Sequence, residues 1–365
     1  MEADKSVENY LRKKNPEARL LIKILAIIGL VIILFLLAGY VFIRIRAPQL
    51  LEFSKGITAY RITVKLDSLD GARFITGMKG CENVLPDKVT GGVYVSCLDG
   101  YIHFLEPDLT GELAIKKSFK AGEAAMGMAF TSDNGLIAAV CKNPIEEWSS
   151  KGGALFRISV DLSAMERLSE DFPSMNGICA DHQDNLYFTS SNFNIFHPVG
   201  MVWRMPSGGD GHFGSPEPYI RDAGLANGLY YDEHQAKIFF SNTTGGVYEF
   251  TSMDNDLKEV YLKMKFMEVC DDLCTDISGN VWMTNPGIST VKMYNPGTNR
   301  LAQFNIEGFG QASSCRIRSE NGLEMLYITE LKQSHSPLSG PFDGRGVLVV
   351  PAQSLLKLME PLLIK

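Results

Sequence analysis

The sequence predicts an all-β protein, a six-bladed β-propeller that is preceded by a single transmembrane helix. After residue 70, short apolar strands alternate with polar turns, and the period of an amphipathic helix is missing. The strands fall into six similar units that begin roughly 42 to 51 residues apart, the length of a propeller blade. Before them, residues 24–43 form an uncharged apolar stretch.

The apolar stretch reads ILAIIGLVIILFLLAGYVFI. As a helix it would span about 30 Å, the thickness of the hydrocarbon core of a bilayer. It has no polar face, which argues against a buried core helix. Arginines follow it instead of a small-residue cleavage site, which argues against a cleaved signal peptide. We therefore expect a signal anchor at residues 24–43.

The charges around the stretch predict its orientation. Six lysines and arginines precede it and three follow it closely, which favours a cytoplasmic segment at residues 1–23. The chain is then a single-pass type II membrane protein whose propeller is luminal or extracellular. The sequence Asn-Thr-Thr at Asn242 agrees with that side of the membrane and is a candidate glycosylation site.

The composition argues against one class of function. The chain has 365 residues, a net charge of −7 and 45% hydrophobic residues. Its lysines and arginines are scattered, without the basic block typical of nucleic-acid binding, so no nucleic-acid partner is expected. The sequence leaves the oligomeric state open.

Each unit of the propeller contains a strand, a polar turn, a second strand, a loop and a third strand. Residues 70–352 hold all six units, and a β-sandwich with fortuitous spacing is the alternative. Residues 57–66 (ITAYRITVKL) look like an extra strand that completes the last blade, so we interpret residues 44–69 as a linker with a ring-closing strand. The tail at residues 353–365 is apolar and predicts a short packing helix rather than a membrane-surface contact.

Each unit opens with a lead residue directly before its innermost strand, while the hairpin turn comes later. Innermost strands line the central channel of a propeller and start at one mouth, so the lead residues should meet near the axis. Three of them precede an Asp by five residues, which indicates equivalent positions. The lead residues are Glu82, Met126, Asn176, Asn227, Asp271 and Ser313.

Four of the lead residues carry side-chain oxygens that suit a hard cation. The carboxylates of Glu82 and Asp271 and the amides of Asn176 and Asn227, with Asp272 beside them, form an all-oxygen set of the kind that Ca²⁺ prefers. The alternative is that these are ordinary turn residues, which are frequent before strands.

Several blocks of the sequence resemble the calcium-dependent six-bladed propellers of paraoxonases and of gluconolactonase/regucalcin-type proteins. The resemblance covers about residues 70–352 and rests on the blocks CEN, MNGICADHQDNLYFTS, LANGLYYDEHQAKIFFS, CDDLCTDISGNVWM and SSCRIRSENGLEMLYITE. It implies a catalytic calcium ion bound by Glu82, Asn176, Asn227 and Asp271, with Asp272 in the place of a further ligand. It also implies hydrolysis of lactones and some aryl esters, with Asp271 as the base that activates water.

The chain departs from the paraoxonase pattern. Met126 and Asn143 stand where paraoxonases have histidines, so the gluconolactonase type is the closer comparison. Asn83 and Gly177 stand where paraoxonases have acidic ligands of a second, structural calcium, so that ion is doubtful here. The expected cofactor is therefore one catalytic calcium ion.

The substrate should be a small lactone or ester that enters at the channel mouth. Candidate lining residues are Met126, Phe193, Phe196 and His197. Two alternatives to a hydrolase remain: a non-catalytic calcium-binding scaffold, and a membrane protein resembling strictosidine synthase.

Overall fold

The computed structural model describes residues 16–46, 51–87, 89–141, 151–192, 199–265, 268–331 and 344–359. The chain divides into two compact units, Met1–Leu51 and Glu52–Lys365. In the first unit, helix α1 (Pro16–Arg46) contains the predicted span. Its segment Lys23–Ile45 is long and apolar enough to cross a membrane, either as an anchor or as a signal sequence.

The second unit is a six-bladed β-propeller in which each blade is an antiparallel sheet of four main strands. Blade one contains β3 (Cys81–Pro86), β4 (Val93–Cys97), β5 (Tyr101–Pro107) and β6 (Leu113–Lys120). Blade two contains β7 (Ala124–Phe130), β8 (Leu136–Cys141), β9 (Lys151–Ile158) and β10 (Met165–Arg167), with β11 (Phe172–Pro173) also paired to β9. Blade three contains β12 (Met175–Ala180), β13 (Leu186–Ser191), β14 (Gly200–Met205) and β17 (Glu217–Ile220); β15 (Ser207–Gly209) and β16 (His212–Phe213) form a separate hairpin.

The remaining blades follow the same order from the inner to the outer strand. Blade four contains β18 (Ala226–Asp232), β19 (Lys237–Asn242), β20 (Gly246–Phe250) and β21 (Lys258–Leu262). Blade five contains β22 (Leu273–Thr275), β23 (Val281–Asn285), β24 (Thr290–Asn295) and β25 (Arg300–Ile306). Blade six contains β26 (Ala312–Glu320), β27 (Leu323–Glu330) and β28 (Gly346–Pro351), and its fourth strand is β2 (Arg73–Thr76). The predicted number of blades is confirmed.

The strand that closes the ring is not the predicted one. β2 pairs antiparallel with β28 and completes blade six, with Arg73 opposite Val349. The predicted segment 57–66 instead contains β1 (Thr58–Val64), which runs parallel to β25 and adds a fifth strand to the outer edge of blade five. The error has a simple cause: both segments are short strands, and only long-range pairing decides which edge each one joins.

The predicted hairpin turns are confirmed, and their aspartates explain them. Asp181 Oδ1 accepts hydrogen bonds from the backbone N–H groups of Gln183 and Asn185, at 2.9 and 3.0 Å. Asp276 makes the same contacts in blade five, and Asp232 in blade four accepts from the N–H groups of His234 and Gln235. An aspartate at this position caps the turn that follows the inner strand, so the shared spacing of lead residue and aspartate marks equivalent positions.

Apolar residues of neighbouring blades pack against each other and form the core. Trp282 and Phe304 of blade five, for example, share a buried cluster with Leu326 and Ile328 of blade six, and the rings of Trp282 and Phe304 stack with centroids 5.9 Å apart. The tail begins as helix α2 (Ala352–Lys357), which buries Ala352 and Leu355 in the cluster shared by blades five and six. The described part of the tail therefore packs on the propeller.

The two N-terminal strands should differ in their importance for stability. Starting from the unit Glu52–Lys365, deletion through residue 65 removes β1 and the buried Ile62 and Val64. We expect this to cost about 3 to 6 kcal/mol of unfolding free energy. Deletion through residue 76 also removes β2, which opens the ring and exposes the edge of β28. Thermal unfolding followed by circular dichroism should remain a cooperative transition after the first deletion. After the second deletion the cooperative transition should be lost. Equal melting temperatures for the two proteins would contradict the assignment of β2 as the closing strand.

Candidate functional site

The glycines that follow the lead residues let the inner strands approach each other closely. A Cβ atom on Gly228 would lie 2.6 Å from Cα of Asp272 in the next blade. A Cβ on Gly177 would lie 2.5 Å from the backbone nitrogen of Leu229, and one on Gly127 would lie 2.4 Å from the carbonyl oxygen of Asn176. None of these distances is open to a real side chain. The Asn-Gly pairs therefore serve close packing at the axis, and the hairpin tips lie elsewhere.

Hydroxyl groups on the second strand of a blade tie the lead residues together. Thr189 Oγ1 donates to the carbonyl oxygen of Asn227 in the next blade, at 2.5 Å, and accepts from the N–H of Gly177 in its own, at 2.8 Å. Within the described residues, five blade junctions carry such a donor to the next lead carbonyl. The donors are Ser96, Thr189, Ser241, Thr284 and Thr329. The backbone of the lead residues is therefore held on both sides.

Four of the predicted ligands come together in one buried cluster. Ser313 Oγ lies 2.7 Å from Glu82 Oε2 and 3.0 Å from Asp271 Oδ2, so the hydroxyl bridges the two carboxylates. Asn227 Nδ2 donates to Asp271 Oδ1 at 2.6 Å. The Asn176 side chain acts on Glu82 as a hydrogen-bond partner that lowers the pKa of that carboxyl. The cluster thus joins side chains from blades one, three, four, five and six.

The charged forms of the Glu82 and Asp271 carboxylates are unfavourable in free energy because both side chains are buried. Burial raises the pKa of Glu82 to about 7, the charge of Asp272 adds to this rise, and the hydrogen bond from Ser313 opposes it. Burial, together with the nearby Glu82 carboxylate, also raises the pKa of Asp271 well above its usual range. Two neighbouring buried carboxylates cannot both be ionised unless a proton or a cation compensates them.

The side chains of the cluster fit a hard cation. Asn227 Oδ1 is buried and accepts no hydrogen bond from the described part of the chain. An amide oxygen left without a donor in a buried place is costly, and a bound cation would satisfy it. Among the described residues no group of three His, Cys, Asp or Glu side chains could hold a metal ion. A metal ion in this cluster would therefore depend on the two asparagine amides as well as on Glu82 and Asp271.

Asp272 does not join this cluster as predicted. Its Oδ2 accepts hydrogen bonds from Arg316 Nη1 at 2.7 Å and from Asn83 Nδ2 at 3.1 Å. Neighbouring residues of an extended chain point to opposite sides, so Asp272 faces away from the group that Asp271 joins. The same alternation separates Glu82 from Asn83 and Ser313 from Ser314. Asp272 is therefore the carboxylate of a second polar layer and not a ligand of the first.

The remaining predicted residues either pack elsewhere or lie outside the described part of the chain. The side chain of Met126 is 8% exposed and packs in the hydrophobic core of blades two and three. Asn143, Phe193, Phe196 and His197 lie outside the described residues. Asn242 is 5% exposed and its Oδ1 accepts from Thr244 N and Oγ1, so the folded propeller leaves no room for a glycan on this amide.

Sequence reasoning missed two functional groups. Ser313 was found as a lead residue, but the bridging role of its hydroxyl depends on blade six meeting blades one and five at the axis. Arg316, which pairs with Asp272, lies on an inner strand and is only 6% exposed. An arginine that follows directly on the small residues at the start of an inner strand was the available signal for it.

The fold and this cluster define a β-propeller with an oxygen-rich polar centre where its inner strands begin. Residues 93–332 match the family described as SMP-30/Gluconolactonase/LRE-like region, and the chain belongs to this family. No curated protein matches the chain significantly in sequence.

Solved structures with the same fold differ widely in sequence and in name. A gluconolactonase from Xanthomonas campestris is 19% identical with a TM-score of 0.55, and the match covers 78% of this chain and 90% of that one. Regucalcin from Agrobacterium tumefaciens, described as a calcium-binding protein, is 12% identical with a TM-score of 0.57, over 80% and 95% of the two chains. An aldose sugar dehydrogenase from Streptomyces coelicolor, solved with bound PQQ, is 15% identical with a TM-score of 0.54, over 76% and 95%. These likenesses show the fold, and the function must be argued from the site.

The close approach of the inner strands can be tested with one methyl group. Gly228→Ala places a Cβ against the backbone of Asp272, and we expect a loss of about 1 to 3 kcal/mol in unfolding free energy. Gly297→Ala is the matched control, because its Cβ meets only Asn295 Oδ1 at 3.4 Å, and it should change the free energy by less than about 0.5 kcal/mol. Denaturant unfolding measures both values, and equal losses would contradict the steric account of the Asn-Gly pairs.

Proposed function

We propose that this protein is a calcium-dependent hydrolase of lactones, with aryl esters as a second substrate class. Membership in the gluconolactonase-like family supports a lactone hydrolase at the level of the family. The observation that carries the proposal for this chain is the buried cluster itself. It combines two carboxylates of raised pKa with an asparagine oxygen that has no donor among the described residues.

The ligands in this proposal are Glu82, Asn176, Asn227 and Asp271. Calcium bound there would supply a Lewis acid that polarises the substrate carbonyl and stabilises the oxyanion. Ca²⁺ accepts about six to eight oxygen ligands, so four protein ligands leave positions for the substrate and water. Carboxylates, amides and flexible geometry suit this ion better than zinc, which prefers nitrogen and sulfur.

Asp271 is the proposed acceptor of the proton from the attacking water. A carboxylate beside a cation is normally a weak base, because the positive charge lowers its pKa. Burial acts in the opposite direction on Asp271 and raises its pKa. Its Oδ1 accepts from Asn227 and its Oδ2 lies beside the Ser313 hydroxyl, so the side chain is held in one orientation. The raised pKa of Asp271 and the fixed orientation of its carboxylate both favour a positioned general base.

Helix α1 would place the enzyme at a membrane. We propose the type II orientation with the propeller on the luminal or extracellular side, because more positive residues precede the helix than follow it. Calcium concentrations on that side exceed those of the cytoplasm, which would keep even a site of modest affinity filled. The expected partners are thus the membrane and a small lactone or ester.

Substitution of one oxygen in the cluster tests the proposal. Asp271→Asn should reduce hydrolysis of γ- and δ-lactones and of phenyl acetate by about 10²-fold or more, because it removes the base and a charged ligand. Asp210→Asn is the matched control, since Asp210 lies exposed in a turn with a φ of 51° that Asn tolerates. The full chain in detergent should show both results with calcium present.

Calcium dependence separates the hydrolase from the alternatives. Chelation should abolish hydrolysis and lower the melting temperature of the wild type, while neither activity nor a calcium-dependent melting shift should remain in Asp271→Asn. A melting shift without any turnover would favour a calcium-binding scaffold. No response to chelator would contradict the metal site and leave a protein resembling strictosidine synthase as the better interpretation.

A further inference from the structure

A second charged centre lies beside the cluster and is already neutralised by the chain. Arg316, three residues after Ser313 on β26, donates through Nη1 to Asp272 Oδ2 at 2.7 Å and to the carbonyl oxygens of Leu273 and Cys315 at 2.9 and 2.7 Å. Its Nη2 donates to the carbonyl oxygen of Leu229 at 3.3 Å. The guanidinium is therefore surrounded by oxygen atoms.

These oxygens come from several blades. Leu229 belongs to β18 of blade four, Leu273 to β22 of blade five and Cys315 to β26 of blade six. The Asp272 carboxylate also accepts from Asn83 of blade one at 3.1 Å. The inner strands of blades four, five and six lie side by side around the channel, and the Arg316 guanidinium bonds to all three of them at the axis. One carboxylate and three carbonyl oxygens are the ligand types that a hard divalent cation would use.

The charge in this layer balances without an ion. Asp272 is buried, and an unpaired carboxylate there would be strongly unfavourable. The arginine supplies one positive charge, and it also covers the ring of Tyr230, 5.6 Å from its centroid. In the first layer no described arginine or lysine makes an ion pair with Glu82 or Asp271. Both layers thus contain buried carboxylates, but an arginine compensates the charge only in the Asp272 layer.

We propose that Arg316 acts as a built-in cation that occupies a second, latent divalent-cation site in the channel. The native chain then has no use for an ion in the Asp272 layer, and within the described residues the exchangeable ion belongs to the Glu82–Asp271 layer. That first ion is part of the proposed function, whereas the latent site depends only on the contacts of Arg316. Removing the guanidinium should turn this layer into a site for calcium.

Metal counting tests this proposal independently of catalysis. Arg316→Ala should bind one calcium ion per chain more than the wild type, measured by elemental analysis after gel filtration of the full-length protein in detergent. Its melting temperature should fall without calcium and recover in part with millimolar calcium. Arg318→Ala is the matched control: Arg318 lies two residues further on the same strand and pairs with Glu320 and with the carbonyls of Gly91 and Gly92. This control should lose stability without gaining an ion.

A second variant covers the case in which Arg316→Ala does not fold. Arg316→Ala combined with Asn83→Asp puts a second carboxylate beside Asp272, so that one calcium ion balances the charge as the arginine did. This protein should fold in calcium and carry one ion more than the wild type. An unchanged metal count in the folded variants, or failure of the double variant to fold in millimolar calcium, would overturn the proposal.

The number of calcium ions per chain in each variant is compared with that of the wild type. A wild type without any bound calcium would contradict the proposed function, while a gain of one ion in the variants would still support the latent site. A wild type with one ion and variants with the same single ion would support the proposed function and overturn the role of Arg316.

Discussion

Close contact of the inner strands at the propeller axis is the constraint on which the rest of the structure depends. Gly177 and Gly228 have no side chain because the backbone of the next blade occupies that space. Hydroxyls such as Thr189 then bond to both blades at once. Together these contacts bring lead residues that are tens of positions apart in the sequence to within hydrogen-bonding distance. If the inner strands were further apart, the same side chains would not reach each other to form hydrogen bonds.

This packing buries negative charge at the axis. The Glu82–Asp271 layer and the Asp272 layer compensate that charge in different ways. Asp272 has a permanent partner in Arg316, whose covalent attachment fixes both its position and its charge. Glu82 and Asp271 share only the neutral hydroxyl of Ser313 and neutral amides. The carboxylate of a buried ion pair is already charge-compensated and binds no further proton or cation. Buried carboxylates without a cation will take up a proton or a metal ion. This difference is why the first layer is the candidate site and the second is its support.

Much of this arrangement could be predicted from the sequence, because it repeats. The offset from a lead residue to the turn aspartate identified equivalent positions, and Glu82, Asn176, Asn227 and Asp271 do meet. The ring closure could not be predicted, since β1 and β2 are both short strands and nothing in their local sequence shows which distant strand each one joins. Asp272 was misplaced because adjacent acidic residues look alike in sequence, although an extended chain turns them to opposite sides. Arg316 was missed because its partners come from three blades.

The central claim is that the asparagine and carboxylate oxygens of the first layer form a cation site. Isothermal titration calorimetry of the calcium-stripped full-length protein tests it directly, with Asn227→Leu as the variant of similar volume that lacks the orphaned oxygen. The account predicts a single calcium site in the wild type and no binding heat in Asn227→Leu, with the same circular dichroism spectrum for both. Equal calcium binding by the two proteins would contradict the account, because the ion would then be held somewhere other than at the axis.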